Sequence, residues 1–388
     1  MGLSIVSADT VFGENSHSEL TSHMERFGAE RPLLISDPGV RDAGILQKVK
    51  RRIRMADCVE ETCLHLADTE PSVDEFDGLP TSRVDAIVAV GGGSVLDTAK
   101  VASILLTHGG HPRDYLYVDA VPGPTLPLIA IPTTSGTGSQ TTQTAVITVD
   151  GIKRGISDEY IRPDLALVDP SFTYDLPAGI TARSGYDALM HAVESYLAKD
   201  RAWVPDRPIT YQGASCVSRS RSVTAAELIH DSLEQSVLVG SNREARRRLS
   251  LGSHLAGAAF TISGLGMVHA LASSLGGLKD VPHGVCLAAS TEAGLRYNLP
   301  TRRERYCEIL ERFGSGERDD CSRADALIDE CLRIAEQIGL PTSIADLGFD
   351  EDDVDTIVDN TLEQERRLKT NPRDPHPETL EQVLTDTL

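Results

Sequence analysis

The apolar positions of the chain follow two different patterns, one in each half. In the first half, short apolar or β-branched runs alternate with stretches of helical periodicity. These runs are RPLLIS (31–36), CVEETC (58–63), DAIVAV (85–90), LPLIAI (126–131), TAVITV (144–149) and LALV (165–168). Such alternation predicts a parallel sheet with helices on its faces. The dipeptide Asp150-Gly151 is a hairpin signal, so we expect an antiparallel pair to decorate that sheet.

Beyond Asp169-Pro170 the apolar spacing becomes helical. The clearest segments are 187–198, 242–260 and 324–339, and the acidic run 350–353 is typical of a solvated helix start. The change predicts a boundary near Leu176-Pro177. We therefore expect an α/β dinucleotide-binding domain over 1–177 and an all-helical domain over 178–388, which makes the fold class α/β plus all-α.

Composition narrows the possible partners. The chain has 388 residues, with 58 acidic against 37 basic side chains and a formal net charge of −21. A surface of that sign repels nucleic acid and anionic lipid. No apolar run is long enough to span a membrane, and the first residues do not resemble a signal peptide, so we expect a cytoplasmic protein. The seven cysteines are scattered without CxxC spacing and are interpreted as reduced thiols.

The basic residues are 7 Lys and 30 Arg, an imbalance that fits either a GC-rich genome or a salt-loving cytoplasm. If the second explanation holds, the stability of the protein should rise with salt, because salt screens the repulsion among surface carboxylates.

Two glycine-containing segments follow buried strands. In GGGSVLDTAK (91–100) a strand runs into three glycines and then a helix, and such a helix N-terminus favours an anion. In IPTTSGTGSQ (131–140) hydroxyl side chains accompany two glycines. Neighbouring strand ends with bare amides and hydroxyls predict a nucleotide site. A purely structural turn and a helix cap remain open as alternatives for the two segments.

A metal half-site is suggested by Asp187 and His191, which leave the same face of a predicted helix one turn apart. His269 and His283 would be about 21 Å apart in one continuous helix. Gly276, Gly277 and Pro282 should break that helix and let the chain return. One carboxylate and three imidazoles suit Fe²⁺ or Zn²⁺ with an open position for substrate. The other histidines lack this setting and are expected to be structural or exposed.

The segments GGGSVLDTAK, PTTSGTGSQ, DALMHAVESY, GMVHALASSLGGLKDVPHG and the late NPR (371–373) together resemble, in order, the signatures of the iron-containing (group III) alcohol dehydrogenase family. The resemblance spans nearly the whole chain. It implies a Rossmann-like nucleotide-binding domain, a helical domain of the dehydroquinate synthase-like kind and a metal in the cleft between them.

The resemblance also implies roles for particular residues. By position, the metal ligands are Asp187, His191, His269 and His283. The cofactor contacts fall on Gly91, Gly92, Gly93, Ser94, Asp97, Thr133 and Thr134, with Lys153 as a further cofactor-proximal residue. Many family members carry a histidine where this chain has Ser273. The proton relay, which could run through Ser273, and the choice of substrate are therefore expected to differ from those of such members. Gln140 replaces a glutamate, and the segment 198–222, with the only tryptophan, is interpreted as a loop near the cleft mouth or a plain surface insertion.

The function implied is hydride transfer between a nicotinamide cofactor and a small alcohol or aldehyde, with a homo-oligomer as the expected assembly. Asp37, at the end of an early strand, could bind a ribose 2′-hydroxyl and favour NAD over NADP, although Arg41 leaves NADP possible and Asp-Pro-Gly is also turn chemistry. Alternatives are a maleylacetate reductase-like enzyme, a polyol dehydrogenase of the same superfamily and a non-catalytic nucleotide-binding protein.

Overall fold

A computed structural model describes residues 7–67, 71–80, 83–150, 152–204, 210–314 and 324–388. Contacts between residues divide the chain into two compact units, Met1–Leu176 and Pro177–Leu388.

The first unit is built on a parallel sheet whose six strands are ordered β1-β8-β5-β4-β2-β3. The strands are β1 (Asp9–Phe12), β2 (Pro32–Ser36), β3 (Cys63–Leu66), β4 (Ala86–Gly91), β5 (Leu128–Pro132) and β8 (Leu165–Val168). Every residue of β2, β4, β5 and β8 is buried, which is why these strands read as continuous apolar runs. The predicted parallel sheet is confirmed.

The helices of this unit are α1 (Leu20–Phe27), α2 (Pro38–Asp42), α3 (Ile45–Arg54) and α4 (Gly93–His108). Helices α1 and α3 bury apolar residues against one cluster of strand side chains, and α4 does so against another. Because α4 begins two residues after β4 ends, its N-terminus lies at the carboxyl end of a central strand.

Two strand predictions need correction, and one strand was missed. The run 58–63 is not a strand, because Glu60 and Glu61 both bond to the Glu30 carbonyl, and β3 starts only at Cys63. Strand β1 was not predicted. TAVITV forms β6 (Thr144–Val149) as expected but pairs with β7 (Ile152–Ser157) in a separate, two-stranded antiparallel sheet. Asp150 has a φ of 52°, as a tight hairpin turn requires, whereas Gly151 lies outside the described residues.

The second unit is helical over its described residues and has one large apolar core. Its helices are α5 (Ala178–Leu197), α6 (Cys216–Leu238), α7 (Arg243–Ser263), α8 (Met267–Leu278), α9 (His283–Arg312), α10 (Ala326–Gln337), α11 (Val354–Leu362), α12 (Glu365–Leu368) and α13 (Pro377–Thr387). The three helical segments predicted from periodicity fall within α5, α7 and α10, each with small differences at its ends, and the acidic run caps the turn before α11.

Two further predictions concern this unit. The predicted break after His269 is confirmed, since α8 ends at Leu278 and α9 begins at His283. Gly276 and Gly277 lie within the last turn of α8, whereas Pro282 directly precedes α9. The segment 198–222 is not one loop, because its last seven residues open α6; Trp203 is exposed, and 205–209 lie outside the described residues.

Within the same described ranges, no single helix has the length and apolar composition needed to cross a membrane. The bent pair α7 and α8 reaches these limits only when both helices are counted together across a 98° break.

Candidate metal centre

Helix α5 aims three acidic or imidazole side chains at one point of the helical core. Asp187, His191 and Glu194 follow at i, i+4 and i+7, so they share one face, and all three are buried. The helix is packed all round by Leu, Met, Val and Tyr side chains of the same core. Buried ionisable groups in such surroundings need partners or a metal.

Helix α8 supplies the third ligand. Nε2 of His269 lies 3.4 Å from Oδ1 of Asp187, and Nε2 of His191 lies 3.4 Å from the same oxygen. The rings of His191 and His269 are stacked with their centroids 4.6 Å apart. The candidate ligand atoms of Asp187, His191 and His269 all lie within 4.8 Å of one another, so these three residues form a metal site.

His283 lies next to this group but outside it. Its ring centroid is 5.7 Å from that of His269, with the ring planes at 55°. It is the first residue of α9, immediately after Pro282. Burial lowers the pKa of His283 to about 3, although Asp187 opposes the change. The imidazole is therefore neutral at physiological pH, which is the form that binds a metal.

The side chains fit a divalent cation. Oδ1 of Asp187 and Nε2 of His269 are buried and make no hydrogen bond, an arrangement that costs free energy unless another group occupies the space between them. Burial alone would raise the pKa of Asp187, but the charges of His191 and its neighbours lower it to about 2. An ionised carboxylate with imidazole nitrogens is a donor set suited to Zn²⁺ or Fe²⁺.

Glu194 orients His269 without being part of the ligand group. Its Oε2 accepts a hydrogen bond from Nδ1 of His269 at 2.5 Å, which assigns the proton to Nδ1 and leaves the Nε2 lone pair facing Asp187. The same carboxylate accepts from the backbone N–H groups of Val268 at 2.7 Å and His269 at 3.3 Å. Glu194 therefore caps α8 and fixes the tautomer of its histidine.

Asn371, in the NPR segment, completes this cap. Its Oδ1 accepts from the backbone N–H of Met267 at 2.9 Å, and the side chain is fully buried against Asn298. A Cβ on Gly266 would lie 2.6 Å from this oxygen and 3.1 Å from Oε1 of Glu194, so only glycine fits there.

Glu194 and Asn371 were missed as functional residues by the sequence analysis. The i, i+4, i+7 spacing on α5 is the signal that could have revealed Glu194.

An apolar wall adjoins the metal site. The Phe260 ring stacks on His191 with centroids 4.3 Å apart and packs with Tyr211 and Leu265. Tyr211 has a φ of 53°, an uncommon conformation for a bulky residue, which the surrounding structure must hold in place.

Ser273 lies one turn after His269 on α8. Its hydroxyl donates to the His269 carbonyl at 2.9 Å, so its proton is used within the helix and its oxygen retains only acceptor capacity.

In the first unit, the two glycine-containing segments lie side by side. The Thr133 N–H donates to the Gly91 carbonyl at 3.0 Å. A Cβ on Gly91 would lie 2.4 Å from Val95, and one on Gly93 would lie 2.6 Å from Thr137, whereas Gly92 lies next to Thr134. The close approach of the two segments therefore requires glycine at position 93, whereas Gly91 makes room for Val95 of its own segment. The N-terminus of α4, which includes Ser94, lies beside them.

The carboxylate of Asp97 is hydrogen-bonded to other groups of the protein. Its carboxylate accepts from Ser139 at 2.6 Å and from the Val146 N–H at 2.9 Å, and it lies 3.7 Å from Nζ of Lys100. Burial raises the pKa of Asp97 and lowers that of Lys100 to about 8. These bonds tie the segment after β5 to α4, which is a positioning role.

The remaining cofactor candidates lie on other elements of the first unit. Asp37 follows β2, which is next to β4 in the sheet, and its Oδ1 caps α2 by accepting from Val40 at 2.8 Å. Arg41 is exposed and paired with Asp42. Lys153 is exposed on the β6–β7 hairpin opposite Thr148.

Two other histidines, outside the metal site, are buried within the protein. His254 is buried within α7, and burial lowers its pKa to about 4. Nδ1 of His17 lies 2.5 Å from Asp169, and its ring packs on Phe172.

Comparison with known proteins defines the class. Residues 7–170 match the family model "Iron-containing alcohol dehydrogenase", and residues 181–388 match "Fe-containing alcohol dehydrogenase family, C-terminal". The chain is 31% identical over 387 residues to an NAD-dependent methanol dehydrogenase from Bacillus methanolicus, covering 98% of each protein.

Two solved structures are similar over the full chain. A 1,3-propanediol oxidoreductase matches with a TM-score of 0.90 and 30% identity, covering 100% of both chains. A sulfoacetaldehyde reductase from Bifidobacterium kashiwanohense in complex with NAD⁺ matches with a TM-score of 0.83 and 26% identity, covering 100% of this chain and 99% of the other. The chain belongs to the iron-containing alcohol dehydrogenase family and is a metal-dependent oxidoreductase of that family.

Proposed function

We propose that this enzyme transfers hydride reversibly between NAD(H) and a small alcohol or aldehyde, with Fe²⁺ as its metal and His283 as the fourth protein ligand. The observation that carries the proposal is the buried group of Asp187, His191 and His269, in which two polar atoms have no hydrogen-bond partner. A metal bound there would act as a Lewis acid that polarises the substrate oxygen and lowers the pKa of a bound hydroxyl. Zn²⁺ suits the same donor set and is the alternative.

The residues around the metal site have supporting tasks. Glu194 holds the proton on Nδ1 of His269, so Nε2 stays available as a ligand atom. Phe260 covers one face of His191 and keeps water from that side of the ligand group. The Ser273 hydroxyl can accept a hydrogen bond but already donates its own to the His269 carbonyl, so we expect proton release to run through water or a ribose hydroxyl.

The cofactor assignment rests on the first unit. The bare amides at the start of α4, next to Thr133 and Thr134, suit a pyrophosphate. Asp37 has one oxygen engaged in its cap, and the other is available for a ribose hydroxyl, which favours NAD over NADP. The similarity to an NAD-dependent methanol dehydrogenase and to a sulfoacetaldehyde reductase in complex with NAD⁺ supports this choice. Ser94, Asp97 and Lys153 remain proposed contributors to the same site.

The substrate is not fixed by the family. Methanol, 1,3-propanediol and sulfoacetaldehyde appear in the names of the relatives described above, and they differ in both size and charge. A maleylacetate reductase-like activity is the second candidate within this fold, but a complete carboxylate and imidazole set favours a metal enzyme.

The test combines metal analysis with kinetics. The protein would be stripped, reloaded with Fe²⁺ or Zn²⁺, and assayed with NADH and NADPH against a panel of aldehydes. His283→Ala should reduce metal content and activity together. Arg247→Ala, at an exposed ion pair with Glu244 on the same unit, should leave both unchanged. Full activity of stripped enzyme, or full metal content in His283→Ala, would contradict the proposal.

A further inference from the structure

Arg367 carries a charge that no role described so far uses. It lies on α12, and its Nη1 donates to Oε1 of Gln364 at 2.7 Å. Within the described ranges, no carboxylate lies within ion-pair distance of its guanidinium, whereas seven other arginines of this unit have such a partner. The residue as a whole is half-buried, so part of it remains in contact with solvent.

The backbone around Arg367 is fixed to the metal-binding helix. Leu368, the next residue, is buried, and the hydroxyl of Thr370 donates to the Leu265 carbonyl at 2.8 Å. Asn371, which follows directly, caps the start of α8 at Met267. Arg367 therefore lies only about one helical turn of chain before the cap of the helix that carries His269.

The positive charge of Arg367 affects the pKa of a histidine next to the metal site. It contributes to the lowered pKa of His283, after burial and the effect of His269. In the other direction, burial lowers the pKa of Arg367 itself to about 10, although Glu194 and Tyr211 oppose the change. Helix α12 also packs directly on α8, which carries His269, and the direction of these effects agrees with that position.

The formal charges around the metal site do not cancel. A divalent ion balances the negative charges of Asp187 and Glu194, both of which are buried. Arg367 then leaves one positive charge beside the site without a counterpart. A partly desolvated guanidinium is costly unless an anion pairs with it, and its planar donors match a carboxylate or a sulfonate.

We infer that Arg367 binds an acidic group of the substrate, so that the preferred substrate is an aldehyde or alcohol that carries a carboxylate or sulfonate away from its reacting carbon. This inference rests on the proposed function and names the substrate class. The apolar wall of Phe260, Tyr211 and Leu265 would contact the carbon chain between the two ends.

The kinetic test compares aldehydes of matched length that differ in charge. The metal-loaded enzyme would be assayed with 4-oxobutanoate against butanal, and with sulfoacetaldehyde against propanal. The wild type should favour the acidic member of a pair by tenfold or more in kcat/KM, mainly through a lower KM. Arg367→Met should remove this preference by losing ten- to a hundredfold with the acidic aldehyde while retaining activity with the neutral one.

Controls separate the contact from net charge and from folding. Arg247→Met removes the same charge from an exposed pair with Glu244 and should keep the wild-type preference. Arg367→Lys keeps the charge but not the planar donors and should restore part of the preference. Metal content and melting temperature of each variant would show that the site is intact.

A binding measurement keeps this inference distinct from the proposed function. Calorimetry of 4-hydroxybutanoate with the metal-loaded protein should give binding in the wild type that weakens at least tenfold in Arg367→Met. Activity with neutral aldehydes only, without binding of the acid, would overturn the inference and leave the proposed function standing. Equal losses with acidic and neutral aldehydes would also overturn it, because Arg367 would then serve the reacting oxygen or the cofactor.

Discussion

Replacing Glu194 by glutamine tests how the metal site is held. The change keeps the shape of the side chain and removes its negative charge. Three N–H groups converge on the carboxylate, namely Nδ1 of His269 and the backbone amides of Val268 and His269. An amide offers one acceptor oxygen and two donor hydrogens, so in either orientation a donor of the introduced amide meets a donor of the protein.

The expected loss follows from the tautomer of His269. In the metal-free variant, the imidazole can take its proton on Nε2 and direct it at Asp187, 3.4 Å away, while Nδ1 accepts from the new amide. Metal binding would have to reverse that exchange and leave a buried donor unmet, at a cost of about 1–3 kcal/mol. At about 1.4 kcal/mol per factor of ten, affinity should fall roughly ten- to a hundredfold.

The assay is a competition between the protein and a chelator of known affinity, followed for Zn²⁺ or Co²⁺ at fixed pH. Glu308→Gln is the matched control, since Glu308 is a half-buried carboxylate of the same unit whose partners are Tyr196 and Arg305. It should bind metal like the wild type. An unchanged metal affinity in Glu194→Gln, with a normal melting temperature, would refute the argument that Glu194 fixes the tautomer.

Three further predictions address packing, acid stability and salt. Gly266→Ala should lower both metal content and melting temperature, because its Cβ would lie 2.6 Å from Asn371; Gly277→Ala, with open space around it, should not, and equal effects would contradict the packing argument. His254 has its pKa lowered from 6.5 to about 4 by burial, so the unfolded state binds more protons between these values and stability falls as pH falls through that window. Between about pH 7 and 4.5, the free energy of unfolding measured with urea should therefore fall by about 2–3 kcal/mol more in the wild type than in His254→Asn. Equal losses in the two proteins would contradict this prediction. With a net charge of −21, the melting temperature should rise from dilute buffer to molar KCl, and a flat profile would leave only genome bias to explain the 30 arginines.

Much of the fold could be predicted because burial and pattern agree. Strands β2, β4, β5 and β8 are covered on both faces, so each appears in the sequence as an uninterrupted apolar run. Strand β1 could not be found this way, since DTVF is an edge strand with no fully buried residue. The segment CVEETC was wrongly predicted to be a strand because its cysteines and valine favour strands. The residues that pair with β2 begin only at Cys63.

Part of the metal site could be predicted from residue spacing, whereas the residues that support it could not. Asp187 and His191 show a helical spacing that is visible in the sequence itself. The joining of His269 to them depends on how α8 packs on α5, which no local pattern encodes. Asn371 reaches Met267 across 104 residues of chain, so its role as a cap becomes visible only in three dimensions.

The position of His269 explains why a carboxylate that is not in the ligand group is buried there. His269 is the third residue of α8, and the N-terminus of a helix carries a partial positive charge that opposes a nearby cation. Glu194 lies on that terminus with both oxygens bonded to it, so it offsets the helix dipole as well as the charge of the metal. A neutral cap such as Asn371 satisfies a backbone N–H but cannot do this. Removing the charge of Glu194 should therefore weaken metal binding even in a variant whose hydrogen bonds to α8 are preserved.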